Sequence, residues 1–311
     1  MLSDVRYVPT AGALLYHYCS PSTLHAILSN STLRLSDIRE MNDSMEMDWG
    51  LEALDRLIEG HAGLPQVLAE KVASVRADVK FDSMCVATCF STKWDVLSQW
   101  RAYADNGSGF AVGFDPECLT DLPINLLEVC YSVDRQDQLI DEFLDSIEAD
   151  YSRLGDADYD PGPLYEVATE EHPDDATDSD RLIARQVSKI ARKVHHATYD
   201  LASFKSPAFE EESEVRLVHI LKVDREAGDV VSLFSSSAEE DAWVSGRDAS
   251  LGFRMKGSVP VCCLDIPLPA GAIKEIVIGP RANVSELAIR RMLSTVGHRD
   301  VTIRRSLASY R

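Results

Sequence analysis

Apolar residues recur along this chain in two rhythms, every second position in some stretches and every third or fourth in others. "ALLYHYCS" (13–20) reads as a short strand that ends in Ser-Pro. Ser20 can cap a following helix with Pro21 at its first position, and Leu24, Ile27 and Leu28 supply its apolar stripe. "TLRLS" is a second strand, and residues 39–60 begin as a loop and become a helix with Trp49, Leu54, Leu57 and Ile58 on its buried face. Asp43 and Glu46 fit a capping box at its start, and Asn42 suits a turn. Residues 82–91 form a strand, 94–105 a helix, 110–115 a strand and 125–132 its neighbour. Between them, "DNGSG" is a turn in which glycine supplies positive φ. Helices are expected over 137–155, 180–204 and 283–297, and strands over 259–268, 273–280 and 300–308. The stretch from Lys205 is a loop feeding another strand.

The alternation is not a regular βαβ repeat. It predicts an α+β fold: a split, mostly antiparallel sheet of short strands flanked by helices. One domain is expected over 1–311, interrupted by an insert at 156–180. That insert holds ten Asp or Glu and no Lys or Arg, so it is expected to be a solvated, flexible loop.

Composition narrows the function classes. Lys and Arg number 31 against 51 Asp and Glu, a formal charge of −20. Such a surface repels polyanions and does not advertise a general grip on a phosphate backbone. The basic helix segment with Arg181, Arg185, Lys189, Arg192 and Lys193 keeps a nucleic-acid or protein acceptor in play. Seven cysteines, several inside apolar runs, read as buried thiols of a reducing cytoplasm. No apolar run reaches transmembrane length, so no membrane partner is expected.

Phosphate-loop and dinucleotide glycine motifs are absent, as are the H-E-x-x-H and G-x-S-x-G motifs. Cys85 and Cys89 sit on one strand, and His195 and His196 are spread around a helix, so no metal is expected. Three places carry candidate chemistry. His17 sits between Tyr16 and Tyr18 and faces away from both. Residues 39–46 are explained by a capped turn. Glu212, Glu214 and Arg216 share one strand face, beside Glu210 and Glu211 of a solvated acidic loop. A Glu214–Arg216 ion pair needs no ligand, and a functional carboxylate at Glu214 weighs equally.

"LYHYCSPSTLHAILSNSTLRLSDIREMNDSMEM", "CFSTKWDVLSQWRAYADNGSGFAVGFD", "FEEESEVRL" and "IKEIVIGP" appear in that order. Together they resemble a bacterial domain-of-unknown-function family, number 2971. The chain departs from its pattern in having Ser44 where proline commonly follows the Asn-Asp step, and in carrying the acidic segment. The layout is similar to the ADP-ribosyltransferase-like superfamily, in which a split antiparallel sheet holds NAD. That resemblance implies an NAD-consuming ADP-ribosyltransferase or NAD glycohydrolase of the toxin or phage-defence kind, with NAD as substrate. His17, Ser91 and Glu214 occupy comparable places in chain order. Under it, His17 positions a ribose hydroxyl and Glu214 stabilises the oxocarbenium-like ribose. Tyr18, Trp100 or Tyr103 stacks on a base, and Arg101 or Arg216 holds the pyrophosphate. Glu214→Gln is then expected to abolish turnover without unfolding the protein. The alternative is a non-catalytic nucleotide-sensing or protein-interaction module that uses the aromatic wall alone.

Overall fold

The computed structural model describes the chain except for residues 1, 3–4, 41–45, 62–64, 67–68, 71, 73–82, 123, 157, 159–176, 224–229, 235–249 and 311. The expected capping box at Asp43, the turn at Asn42 and most of the acidic insert lie outside the described residues. In chain order the elements are β1 (Leu15–Cys19), α1 (Pro21–Asn30), β2 (Thr32–Asp37), α2 (Glu46–Gly60), β3 (Ser83–Ser91) and α3 (Leu97–Tyr103). Then come β4 (Phe110–Phe114), α4 (Pro116–Thr120), β5 (Asn125–Glu128), α5 (Val133–Ser152), α6 (Asp178–Asp200) and β6 (Glu214–Val223). The chain ends with β7 (Val230–Phe234), β8 (Ser250–Lys256), β9 (Val259–Pro267), β10 (Ile273–Ile278), α7 (Glu286–Thr295) and β11 (Thr302–Arg305).

Local chemistry explains several boundaries. Ser20 Oγ accepts the Thr23 amide at 3.1 Å and Pro21 opens α1, which stops where Ser31 turns left-handed. Ser285 caps α7 through the Ala288 amide. Helix α3 is shorter than its pattern suggests. It begins at Leu97 and gives way to a turn in which Asn106 and Gly107 both have positive φ. Gly109 is required for a different reason: a Cβ there would lie 2.2 Å from the Cys19 carbonyl oxygen.

The described strands form one open, mixed sheet in the order β11-β10-β4-β1-β3-β2-β9-β8, with β6 joined to β3 and carrying β5 and β7. Every pairing is antiparallel except β10 with β11. Strand β6 occupies one edge of β3 along its whole length, from Ser83↔Lys222 to Ser91↔Glu214. Strands β1 and β2 therefore share the other edge. Strand β1 touches it only at Tyr16↔Ser91, and β2 only at Ser36↔Ala87 and Asp37↔Val86. Between them Thr88–Phe90 faces no strand, and α1, which links β1 to β2, crosses the wedge.

The core follows this division. One cluster, with Leu15, Leu28, Leu35, Phe90, Val112 and Leu217, runs under both halves of the sheet on the α1 face. On the opposite face there are two. Ala87, Val218, Leu144 and Phe204 pack with α2, α5 and α6. Tyr16, Tyr18, Trp100, Ala111 and Val277 pack with α3.

Candidate functional site

A cavity of about 530 Å³ opens at this gap, within the range of small-molecule sites (about 300–1,000 Å³). One wall is the tyrosine cluster with Gln99 and Tyr103 of α3. The other is Ala87–Phe90 with Glu212, Glu214 and Lys205, and α1 contributes Ser22, Thr23, Ala26 and Ile27.

At one end stands a buried ionic cluster. Arg216, fully buried, donates from Nε to Glu214 Oε1 at 2.8 Å and from Nη2 to Oε2 at 2.9 Å, while its Nη1 donates to the Ala202 carbonyl at 2.6 Å. Lys205 Nζ donates to Glu212 Oε2 at 2.7 Å and to Glu214 Oε2 at 3.0 Å. Tyr103 donates its phenol hydrogen to Glu212 Oε1 at 3.0 Å. Burial acts to raise the Glu214 carboxyl, but Arg216, then Lys205 and the Cys89 thiol outweigh it and push it down to about 2. Glu214 is therefore ionised at neutral pH. The Tyr103 phenol is raised, first by burial and then by Glu212, and stays a donor.

His17 sits in the gap itself. Its Nδ1 lies 2.9 Å from the Cys89 carbonyl oxygen, so the ring supplies the hydrogen bond that a neighbouring strand would otherwise give. Burial lowers its pKa below the ordinary 6.5, against the raising effect of that carbonyl. The ring is neutral, Nδ1 carries the hydrogen, and Nε2 is left as an acceptor.

The far end is built on β2, β8 and β9. Arg34 donates from Nε and Nη2 to the two carboxylate oxygens of Asp265, both at 2.6 Å, and Arg254 donates from Nε to Ser36 Oγ at 3.3 Å. All four residues line the cavity.

Of the residues singled out from the sequence, His17, Tyr18, Tyr103 and Glu214 line this cavity, and four others do not. Trp100 is fully buried, edge-on to Tyr18, with its indole N–H donated to Asp95 Oδ1 at 2.7 Å, so it is core and not wall. Arg101 lies over the Tyr310 ring, away from the site. Arg216 is fully buried, bonded to Glu214 and the Ala202 carbonyl, and does not line the cavity. Ser91 is buried; its hydroxyl donates to the Glu212 carbonyl at 2.6 Å and accepts from the Lys93 amide. Tyr18 lines the cavity, yet its hydroxyl is taken, donating to Lys93 O and accepting from the Val96 amide. Glu214 is also the counterion of a buried guanidinium, so Glu214→Gln removes a charge partner as well as a carboxylate.

Sequence reasoning missed Lys205, Arg34 and Arg254 as site residues, and it set Glu212 on the strand face of Glu214, whereas Glu212 ends a 3₁₀ turn before β6. Lys205 had a signal: a lone lysine in "LASFKSP", flanked by residues that pack. Glu212 had its two-residue spacing from Glu214. Arg254 had none, because β8 was not anticipated. The basic helix also reads differently in three dimensions. Lys193 is held by Asp150 at 2.7 Å, Lys189 is buried, and Arg181 pairs with Asp178. Among the described residues, one group has side chains placed to share a metal, His61 with Asp145 and Glu148, away from the cavity.

The fold and site thus define a class: an α+β protein with an open, mostly antiparallel sheet, broken at one point, with a cavity and a buried ionic cluster at the break. Residues 99–217 match the family described as "Protein of unknown function (DUF2971)". The matched stretch runs from α3 into β6, so it holds Tyr103, Lys205, Glu212, Glu214 and Arg216, and stops short of His17 and Arg254. No curated protein matches the chain, and no solved structure does. No described helix is long and apolar enough to cross a membrane.

Proposed function

We propose that the cavity binds an NAD-class dinucleotide and that the protein cleaves the bond between nicotinamide and ribose. The observation that carries this reading is the juxtaposition, at the gap of the sheet, of an ionised Glu214, its neighbour Glu212 and a neutral His17. In this reading the wedge of β1 and β2 over β3 is the counterpart of the split sheet that the superfamily resemblance implies. In the reaction the C1′–N bond breaks, its electron pair leaves with nicotinamide, and positive charge develops on the ribose. The Glu212–Glu214 pair faces that charge, His17 Nε2 accepts from a ribose hydroxyl, and Tyr103 walls the nicotinamide side. Water or an acceptor group then adds at C1′ and releases its proton to solvent.

The test is purified protein incubated with NAD, with nicotinamide followed by chromatography. Glu212→Gln is the informative variant, because Lys205 and Arg216 keep Glu214 as partner. Release of nicotinamide by the wild type, lost at least a hundredfold in Glu212→Gln with the unfolding midpoint kept, is the expected result. A folded wild type that binds no NAD and releases no nicotinamide sinks the proposal.

One observation favours a second reading, a nucleotide-sensing module without turnover. Both Glu214 oxygens are already engaged by cations, which blunts the field offered to a cationic ribose. Binding of NAD without nicotinamide release selects it.

A further inference from the structure

The superfamily resemblance implies Arg101 or Arg216 as the arginine that holds a pyrophosphate, and neither lines the cavity. Two others do. Arg34 and Arg254 line the end opposite Glu214, on β2 and β8. Their states differ. Arg34 is pinned by two 2.6 Å bonds to Asp265, which fix its plane and leave Nη1. Arg254 is held only through Nε, by a neutral hydroxyl, Ser36 Oγ. Among the described residues its two terminal amino groups have no partner. Arg254 is half-buried in a cavity it lines, so its charge has neither full solvent nor a carboxylate. Gly252, two positions earlier on the same face of β8, adds to the room, since a Cβ there would meet nothing within 4 Å. The Ser36 hydroxyl and the Glu40 and Asp265 carboxylates also line the cavity, as does Thr32 at the start of β2. A guanidinium with a free fork beside hydroxyls is the arrangement that takes phosphate oxygens two at a time.

We infer that this end of the cavity is an anion subsite for a phosphate or pyrophosphate group, with Arg254 as its clamp and Arg34, oriented by Asp265, as its fixed side. The inference rests on the dinucleotide reading for the identity of the whole ligand, but the subsite stands on its own residues. Strand β2 lies two spacings from β6 across β3, about 10 Å laterally at ~4.8 Å per strand spacing, and Arg254 reaches in from β8, two strands further out. A single ligand that reaches both is nucleotide-sized, with its phosphates toward Arg254 and its ribose toward Glu214.

Calorimetric titration with inorganic pyrophosphate and with ADP-ribose tests it, on the wild type, Arg254→Gln and Glu212→Gln. Both probes are expected to bind the wild type, Arg254→Gln to weaken both at least tenfold, and Glu212→Gln to leave pyrophosphate binding unchanged. Arg254→Lys, which keeps the charge and loses the fork, should fall between, and it serves if Arg254→Gln proves poorly folded. Equal ADP-ribose affinity in wild type and Arg254→Gln, or no pyrophosphate binding by the wild type, overturns the subsite. Pyrophosphate bound through Arg254, with no binding of ADP-ribose and no nicotinamide release from NAD, keeps the subsite and removes the dinucleotide reading. Nicotinamide release that Arg254→Gln leaves intact does the reverse.

Discussion

Glu214 is tied to Arg216 by two hydrogen bonds and to Lys205 by a third, all in a place where water is scarce. Removing one partner of such a cluster strands the other charge. Glu214→Gln should therefore lower the unfolding free energy by about 3–5 kcal/mol, measured by urea denaturation, whatever it does to activity. Glu214→Gln together with Arg216→Met should recover a large part of that loss, because the buried guanidinium leaves with its counterion. The same carboxylate sets an acid limit. Its folded pKa lies below the unfolded 4.5, so its stabilisation is complete above about 4.5 and is lost as pH falls toward about 2. His17 adds a loss in the same direction at a higher pH. Its folded pKa is below 6.5, so below 6.5 the unfolded chain takes up the proton more readily than the folded one. Urea midpoints should fall in two stages on acidification, the first beginning below pH 6.5 and the second below 4.5. His17→Asn should remove the first stage, and an unchanged profile in that variant would refute the assignment.

At the level of elements, the wedge of β1, α1 and β2 makes the gap, and its parts differ in how far the sequence disclosed them. Strand β1, the Ser20 cap and the apolar stripe of α1 follow from local rules and stand as read. So do β3, β4, β9 and β10, whose apolar runs mark them as strands; β4 is buried at every position and β10 at all but Lys274. Strand β8 escaped, because "SLGFRMK" mixes a glycine and two cations into a strand whose Phe253 and Met255 are solvent-exposed. The helix pattern over 94–105 also overran, since Trp94 serves as a platform for Arg304, 3.7 Å from its ring centroid, and not as helix core. The site was half legible. His17 and Glu214 have local signals, whereas the pairing of Lys205 with two glutamates depends on a 3₁₀ turn at 207–212 and left-handed Ser213. Two substitutions test the element account. Ser20→Ala removes a helix cap and should cost about 1 kcal/mol, read as a lower thermal midpoint. Gly109→Ala drives a methyl into a backbone carbonyl, where β4 meets β1, and should cost more than Ser20→Ala in the same assay.

For the whole molecule, the charge balance and the disposition of α6 point the same way. The chain carries a net −20, and the helix cations that face its neighbours are already engaged. A duplex or single strand of nucleic acid should not be retained in filter binding at 150 mM salt. Tight retention that falls steeply with added salt would show a phosphate-driven grip and contradict this. An acidic exterior with two arginines lining the cavity favours a small anion that can enter over a polyanion that cannot.

The gap has a mechanical meaning as well. The two halves of the sheet share a backbone link at Tyr16–Ser91, a ring in place of a second link at His17, and a common core on only one face. Such a sheet behaves like a book bound along one spine, with its free margins at the tyrosine cluster and the ionic cluster. Tyr103 and Glu212 are the clasp across those margins. A ligand that fills the opening acts as a strut, and amide hydrogen exchange around Tyr16, Cys89 and Ser91 should slow on its arrival while the common core stays unchanged.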